Sequence, residues 1–402
     1  MLLARIRQLP TRWIVVAAVV VWLVSGAYLL HFGASWHLDL RVYRAAGHAL
    51  YHGGSPFTVD FTANRLPFTY PPFALLVLSP LSLGRLGTIE TLWWLISVAA
   101  IIGTVALMLL SSTALPARRI WAVAALLSGV ASLALEPVRS NFDYGQINLI
   151  LMVIIVADLT RVRPPWRGVL VGLAAAIKLT PLVYLVYFAV DRQWRSFLRG
   201  VATFAGATAL AWLLLPSDST RYWLHEAFDA GRTGQLGIVS NQSWNGMVHR
   251  APFDGGHLGT AVWLVLSLAT LAGGAVLCRW LVEGSRPAEA VMVLALTELL
   301  ISPVSWTHHW SWLVVVPVVA ASLWTVHRSV AVSLLVLLGL GVAAPYLWIH
   351  VVPLSYLASN ALVLGGAVSL VLWVVAERAR RRPGPAGGAP SPPSATSAGR
   401  AA

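Results

Sequence analysis

The chain has 402 residues, of which 58% are hydrophobic and only 11% are charged, and its mean hydropathy is +0.74. A soluble protein of this length cannot bury so much apolar surface, so the composition indicates an all-α membrane protein with many spans. The net charge of +13 could suit nucleic acid, but the basic residues lie at the ends of apolar segments, which argues against that partner. The single cysteine, Cys278, excludes an intramolecular disulfide framework and a Cys-rich metal site.

Twelve apolar segments follow one another along the chain. They are Trp13–Leu30, Thr88–Leu110, Ile120–Leu135, Ile147–Leu159, Gly168–Ile177, Leu179–Val190, Ser196–Leu215, Leu258–Cys278, Ala288–Ile301, Trp310–Leu323, Val330–Leu347 and Leu354–Val375. A full crossing needs roughly 20 residues, so several segments must use flanking residues. The short pair on either side of Lys178 forms either two crossings or a broken hairpin, which predicts 12 or 10 transmembrane helices. Phe73–Leu83 is too short to cross, and we expect a re-entrant or interfacial helix there.

The arginines predict the orientation of these segments. If the N-terminus is cytoplasmic and the first span is uncleaved, 19 of the 27 arginines face the cytoplasm and seven face outward. Both termini are then cytoplasmic, and the two longest loops, 31–72 and 216–256, lie outside a plasma membrane. Long loops often carry function, which favours an active site at the extracytoplasmic face. We expect one transmembrane catalytic domain over residues 1–376 and a disordered cytoplasmic tail over residues 383–402.

Asp39 opens a polar stretch directly after the first span. Apolar residues recur at helical spacing from 38 to 52, which predicts an amphipathic helix with Asp39 in its first turn. The carboxylate there either does chemistry or caps the helix. On the same helix, Arg44 either contacts a ligand or reaches lipid headgroups.

Lys178 is the only lysine of the chain, and it interrupts the short apolar pair beside Pro181. A charge at bilayer depth costs about 2.5–3.5 kcal/mol, so it must face protein, a cavity or an anionic ligand. A lipid phosphate would suit it. The alternative is an ion pair with a carboxylate such as Asp143 or Glu298.

Further polar side chains gather at the ends of spans and in the loops, and each set can bind a ligand or simply satisfy the backbone. Amides suit sugar hydroxyls, and histidines suit a phosphate. The candidates are Tyr70, Gln146, Asn148, Asn241, Gln242, Asn245, His308 and His309. The sequence has no Walker loop, no dinucleotide-binding glycine motif and no HExxH metal motif. A soluble nucleotide-sugar domain is missing as well, so any activated donor would have to arrive through the membrane.

Six stretches together resemble one family. They are "DLRVY" and the following residues to "PF" at 39–57, "LPFTYPPF" at 66–73, "GQINLIL" at 145–151, "IKLTP" at 177–181, "NQSWNGMVHR" at 241–250 and "SPVSWTHHW" at 302–310. In this order they are similar to glycosyltransferase family 87, the polyprenol-phosphate-mannose-dependent α-(1→2)-mannosyltransferases of actinobacteria. The resemblance implies a GT-C membrane fold, a polyprenyl-phosphate-mannose donor, a glycolipid or glycan acceptor and membrane lipids as surroundings.

The resemblance also implies roles for these residues. An aspartate after the first span is the expected general base of an inverting reaction, and that position is Asp39. The donor phosphate would contact cations from the set Lys178, His308, His309, Arg44 and Arg65. The sugar or acceptor would contact Tyr70, Gln146, Asn148, Asn241, Gln242 and Asn245. No metal and no cofactor is required, because these cations can balance the charge of the leaving phosphate.

Three other functions fit the same residues. A transferase that uses another polyprenyl-phosphate sugar, such as an arabinofuranosyl donor, would keep Asp39 and change the amides. A transporter or lipid flippase would instead carry ionisable residues along a path through the membrane, where this chain has only Lys178 and Glu298. A non-catalytic role in assembly is the third. The sequence leaves the acceptor open.

Overall fold

In a computed structural model, residues 9–32, 37–57, 61, 66–251, 256–346 and 356–382 are described. Within these ranges the chain is helical, and its only strand-like pairing is a single bridge between Asn241 and Trp306. The predicted all-α class is therefore confirmed. Arg65 and the predicted tail 383–402 lie outside the described residues.

The described helices are α1 Thr11–Phe32, α2 Leu38–Tyr51, α3 Pro72–Leu78, α4 Leu86–Ser112, α5 Ala117–Ala134, α6 Glu136–Tyr144, α7 Asn148–Thr160, α8 Val169–Ile177, α9 Leu185–Val190, α10 Trp194–Leu214, α11 Pro216–Leu224, α12 Trp244–His249, α13 Gly256–Glu283, α14 Pro287–Ile301, α15 Val316–Leu323, α16 Arg328–Tyr346, α17 Tyr356–Ser359 and α18 Ala361–Arg381. Short 3₁₀ helices join them at Ser79–Ser82, Thr180–Tyr184, Glu226–Phe228, Ala230–Thr233 and Thr307–Val315.

Six of these helices are each long and apolar enough to cross a membrane: α1, α4, α5, α10, α13 and α18. The pair α6 and α7 makes a seventh candidate, bent by 115° at its break. The twelve predicted apolar segments all coincide with helices wherever the structure describes them, but the other segments are shorter or broken. The chain is therefore a multi-pass membrane protein with these six or seven candidate spans among its described residues.

Burial separates a lipid-facing shell from an inner core. In α1, α10 and α13 only 17% of the most apolar 18-residue stretch of each helix is buried inside the protein. Most of their side chains therefore face outward. In α14, almost every residue from Ala288 to Leu300 is buried. A helix that is apolar on all sides belongs in the interior, and α14 accordingly packs against α13, α18 and α4. The polar residues described below lie against this core.

The chain breaks at Lys178, as the broken-hairpin alternative predicts. Helix α8 ends at Ile177, and Lys178 has an extended backbone with φ −147° and ψ 130°. A 3₁₀ helix then begins at Thr180, with Pro181 in its first turn. Because proline cannot donate a backbone hydrogen bond, the helix cannot run through this point. The break leaves the Lys178 side chain free to point away from a helix axis.

A second break, at Gly145, places Gln146 beside the amphipathic helix α2. Gly145 has φ +64°, a left-handed conformation that a side chain disfavours, and it ends α6. A Cβ atom at this position would lie 2.8 Å from the Cβ atom of Leu40. The predicted helix over residues 38–52 is confirmed as α2, and Gly145 is what allows the corner to approach it.

We expect Gly145→Ala to destabilise the fold, because it combines a left-handed alanine, which costs about 1–2 kcal/mol, with a clash against Leu40. The matched control is Gly206→Ala in α10, where an added Cβ meets nothing within 4 Å. Thermal unfolding in detergent would show a lower midpoint for Gly145→Ala and an equal or higher one for Gly206→Ala. Equal midpoints for Gly145→Ala and wild type would contradict the close approach.

Candidate active site

Asp39 lies in the first turn of α2 but does not cap it. The N-cap residue is His37, and no side chain makes a capping hydrogen bond there. Instead the Asp39 Oδ2 atom accepts a hydrogen bond of 2.7 Å from Nε2 of Gln146. The carboxylate is therefore held by a side chain from the α6–α7 corner, and it has a partner other than the start of its own helix.

Two tyrosines orient the amide that holds Asp39. The hydroxyl groups of Tyr43 and Tyr70 donate to Oε1 of Gln146 at 3.2 Å and 3.0 Å, and the two hydroxyl oxygens are 3.0 Å apart. Because Oε1 accepts these bonds, the NH₂ group of Gln146 faces the carboxylate. Tyr43 follows Asp39 by four residues and so shares its helix face, a spacing that could have identified it as a site residue. Sequence reasoning missed it.

The surroundings make Asp39 a stronger base than an exposed aspartate. Burial disfavours the charged form and raises the pKa of Asp39 to about 6, while the hydrogen bond from Gln146 and the positive charge of Lys178 act in the opposite direction. A carboxylate with this pKa is mostly ionised at pH 7 and can still accept a proton from a reacting hydroxyl.

Lys178 lies on the other side of Tyr70. Its ammonium nitrogen donates to Oδ1 of Asn148 at 2.7 Å and is 3.2 Å from Nε2 of His309. It is also 5.8 Å from the centroid of the Tyr70 ring. An ammonium group can only donate, so Nε2 of His309 accepts and that imidazole is neutral in this arrangement. Among the described residues no carboxylate forms an ion pair with Lys178, so the proposed pairs with Asp143 and Glu298 are not found.

His308 lies next to His309 but is held differently. Its backbone carbonyl accepts from Nδ2 of Asn141 at 2.5 Å and from Nδ2 of Asn148 at 3.5 Å. Its ring packs edge-on against Tyr144, with centroids 5.4 Å apart. Its Nε2 atom is buried and has no hydrogen-bond partner in the described part of the chain.

A cavity continues from Lys178 into the interior. Its polar walls include Asn148, Thr180, Glu298, Ser305 and His309. Glu298, another of its lining residues, accepts a hydrogen bond of 2.7 Å from the hydroxyl of Tyr184. The cavity therefore carries both a cation and a carboxylate on its walls.

The loop amides predicted to bind sugar are satisfied by other parts of the protein. Gln242 donates to the carbonyls of Val239 and Ser359 and accepts from two backbone N–H groups of α18. Asn241 and Asn245 bond to backbone atoms near the start and end of the 303–305 corner. The structure thus gives the three amides a part in fixing loops rather than an open face toward Asp39.

Arg44 also lies apart from the Lys178 cluster. Its guanidinium donates to the carbonyls of Leu81 and Gly84, which ties α2 to the turn before α4. Of the predicted site residues, the structure brings together Asp39, Tyr70, Gln146, Asn148, Lys178, His308 and His309. It leaves out Arg44 and the loop amides.

The assembled cluster can carry out one kind of chemistry well. Asp39 can accept a proton, and Lys178 can balance negative charge on a leaving group a short distance away. In the described residues no group of three or more His, Cys, Asp or Glu side chains could hold a metal ion. A proton acceptor and a cation in one site are typical of group transfer to a hydroxyl.

Sequence comparison assigns the class. Residues 68–303 match the profile of glycosyltransferase family 87, which covers more than half of the chain. The chain therefore belongs to glycosyltransferase family 87, and the predicted resemblance is confirmed. It is a multi-pass membrane glycosyltransferase, a class with which its helical architecture agrees.

Individual relatives narrow the comparison further. The chain is 34% identical to a polyprenol-phosphate-mannose-dependent alpha-(1-2)-phosphatidylinositol mannoside mannosyltransferase of Mycobacterium tuberculosis, over 79% of each protein. It is 33% identical to a corresponding phosphatidylinositol pentamannoside mannosyltransferase of Mycolicibacterium smegmatis, over 77% of this chain and 75% of the relative. A weaker similarity, 32% over 43% of this chain and 42% of the relative, links it to an alpha-(1->3)-arabinofuranosyltransferase of Corynebacterium glutamicum.

Proposed function

We propose that this protein transfers mannose from polyprenyl-phosphate-mannose to a phosphatidylinositol mannoside acceptor, with Asp39 as the general base. One observation carries the proposal. A continuous cluster, from Asp39 through Gln146 and Tyr70 to Lys178, holds a carboxylate and an ammonium group within one site. Glycosyl transfer from a lipid phosphate needs a base for the acceptor and a cation for the departing phosphate.

The reaction is a single displacement. The acceptor hydroxyl attacks the anomeric carbon of the donor, and its proton passes to the Asp39 carboxylate. The bond between that carbon and the phosphate oxygen breaks, and its electron pair leaves with the polyprenyl phosphate. Lys178 stabilises this negative charge as it develops. Attack opposite the leaving group inverts the anomeric centre, as for other glycosyl transfers through an oxocarbenium-like transition state.

The relatives support both substrates. Two relatives that match more than three quarters of this chain are named for polyprenol-phosphate-mannose and for phosphatidylinositol mannosides of different size. We therefore propose a phosphatidylinositol mannoside as the acceptor, without specifying how many mannoses it already carries. The partial similarity to an arabinofuranosyltransferase makes polyprenyl-phosphate-arabinofuranose the appropriate comparison donor.

The topology supports an extracytoplasmic site. With cytoplasmic termini, 19 of the 27 arginines lie on the cytoplasmic side, and Asp39 then follows the first span on the outside. The catalytic unit spans residues 1–376, and neither a metal ion nor a cofactor takes part in the proposed reaction. The positive charge of Lys178 takes the place of a metal ion at the phosphate, and His309 holds the ammonium group in position.

Asp39→Asn should lower the rate of mannose transfer by about 10²- to 10⁴-fold, because it removes the proton acceptor and keeps the shape of the side chain. The control is Asp229→Asn, the same charge change at an exposed aspartate that accepts from the Gly231 N–H. Transfer of radiolabelled mannose from the polyprenyl donor to a mannolipid extract measures both. Wild-type rates for Asp39→Asn would remove this residue from the mechanism.

The fall of kcat/KM at acid pH, its acid limb, should follow the protonation of the Asp39 carboxylate. Only the ionised carboxylate is active, so the rate should rise with pH and reach half its maximum near pH 6. The hydrogen bond from Gln146 favours the ionised form, so Gln146→Leu should move this limb to higher pH. A pH profile of both proteins tests this, and a limb that stays in place or moves to lower pH would contradict the assignment.

Lys178→Met should lower kcat by about 10²- to 10³-fold, because the charge on the departing phosphate is no longer balanced. Lys178→Arg should recover part of this loss, limited by the space between Asn148 and His309. Arg41→Gln, which removes a cation paired with Glu90 on the surface, is the control. Steady-state kinetics with varied donor would contradict the proposal if Lys178→Met matched the control.

A further inference from the structure

Ser305 has a buried side chain without a hydrogen-bond partner. The residue is fully buried, and its Oγ atom bonds to no other atom of the described residues. It lines the same cavity as Lys178 and His309. A buried hydroxyl without a partner costs free energy, so such groups usually await a ligand or a water. None of the chemistry proposed above uses this hydroxyl.

The backbone of Ser305 is fixed from both sides. Its N–H donates to Oδ1 of Asn241 at 2.9 Å, and its carbonyl accepts from the backbone N–H of Gln242 at 2.7 Å. Asn241 is itself held, because its Nδ2 donates to the carbonyl of Leu236 at 3.0 Å and its Oδ1 also accepts from Ser243. Two adjacent loop residues therefore hold one serine in place. This explains why Asn241 and Gln242 bond to backbone atoms rather than face an open site.

The charges around the cavity indicate what the hydroxyl binds. Lys178 is the positive group on its wall, and Glu298, whose carboxylate is hydrogen-bonded to Tyr184, is the negative one. An anion would settle near Lys178 and away from Glu298. A phosphoryl group has several acceptor oxygens, so it can accept from an ammonium group and a serine hydroxyl together.

We propose that the Ser305 hydroxyl is a ligand of the phosphate group of the lipid donor, together with Lys178. This inference rests on the proposed function for the identity of the donor. The ligand class is a phosphate ester carried on a polyprenyl chain. Free phosphate offers the same oxygens, so the experiment must separate the two.

The test compares Ser305→Ala with Ser369→Ala. Ser369 lies in α18, away from the cavity, and its hydroxyl is also buried and without a partner in the described chain. Each change removes a buried hydroxyl that bonds to no atom of the described residues, so neither should lower the unfolding temperature. Ser305→Ala should weaken binding of polyprenyl phosphate about ten- to hundred-fold, the effect of one hydrogen bond to a charged group, whereas Ser369→Ala should not.

Binding is measured on the full-length protein in detergent as thermal stabilisation by polyprenyl phosphate, by polyprenol without phosphate and by inorganic phosphate. Stabilisation by polyprenyl phosphate that Ser305→Ala alone loses supports the proposal. If inorganic phosphate also stabilises wild type and loses this effect in Ser305→Ala, the phosphate site is supported and the lipid tail adds little. Equal stabilisation by polyprenol and polyprenyl phosphate would overturn it.

A second variant at the same position, Ser305→Cys, shows whether any loss of binding in Ser305→Ala comes from misfolding. Ser305→Cys fills the same space with a weaker donor, so its affinity for polyprenyl phosphate should lie between those of wild type and Ser305→Ala. Wild-type affinity in both variants overturns the inference. Failure of wild type to transfer mannose would contradict the proposed function instead, and the binding measurements would still decide whether Ser305 contacts a phosphate.

Discussion

One charge in an apolar interior organises this protein. Lys178 lies where a span is broken by Pro181, and a charge at such a depth costs about 2.5–3.5 kcal/mol unless polar partners meet it. The partners come from three different elements: Asn148 at the start of α7, His309 in the 3₁₀ helix over 307–315 and the ring of Tyr70 before α3. These three elements must therefore pack together around Lys178 if its ammonium group is to have polar partners.

The same meeting point brings together the two residues that we propose to be catalytic, Asp39 and Lys178. Tyr70 contacts Lys178 with its ring and Gln146 with its hydroxyl, and Gln146 in turn holds Asp39. A change at the lysine is therefore transmitted to the carboxylate through two side chains that are themselves bonded. The close approach of α2 to the Gly145 corner completes this arrangement, because it brings the carboxylate within reach of the amide.

The sequence was sufficient for the class of protein, the break at Lys178 and the helix that carries Asp39. Those features follow from local signals: hydropathy, a proline and helical periodicity. The sequence alone could not show that Gln146 and Gln242 have different roles. Gln146 donates to the Asp39 carboxylate, whereas the amide of Gln242 is hydrogen-bonded to backbone groups of α17 and α18. Both are glutamines in polar stretches, and only long-range packing decides which of them faces the site. Ser305 was missed for the same reason, since nothing local marks a serine whose hydroxyl has no partner.

The proposed reaction is a single displacement with Asp39 as the base. The most direct test is the anomeric configuration of mannose in the donor and in the product of one reaction, determined by NMR from the one-bond carbon–proton coupling at C1. We expect opposite configurations, because one attack from the face opposite the phosphate inverts the anomeric centre. The same configuration in donor and product would contradict it and would require a covalent intermediate on the enzyme.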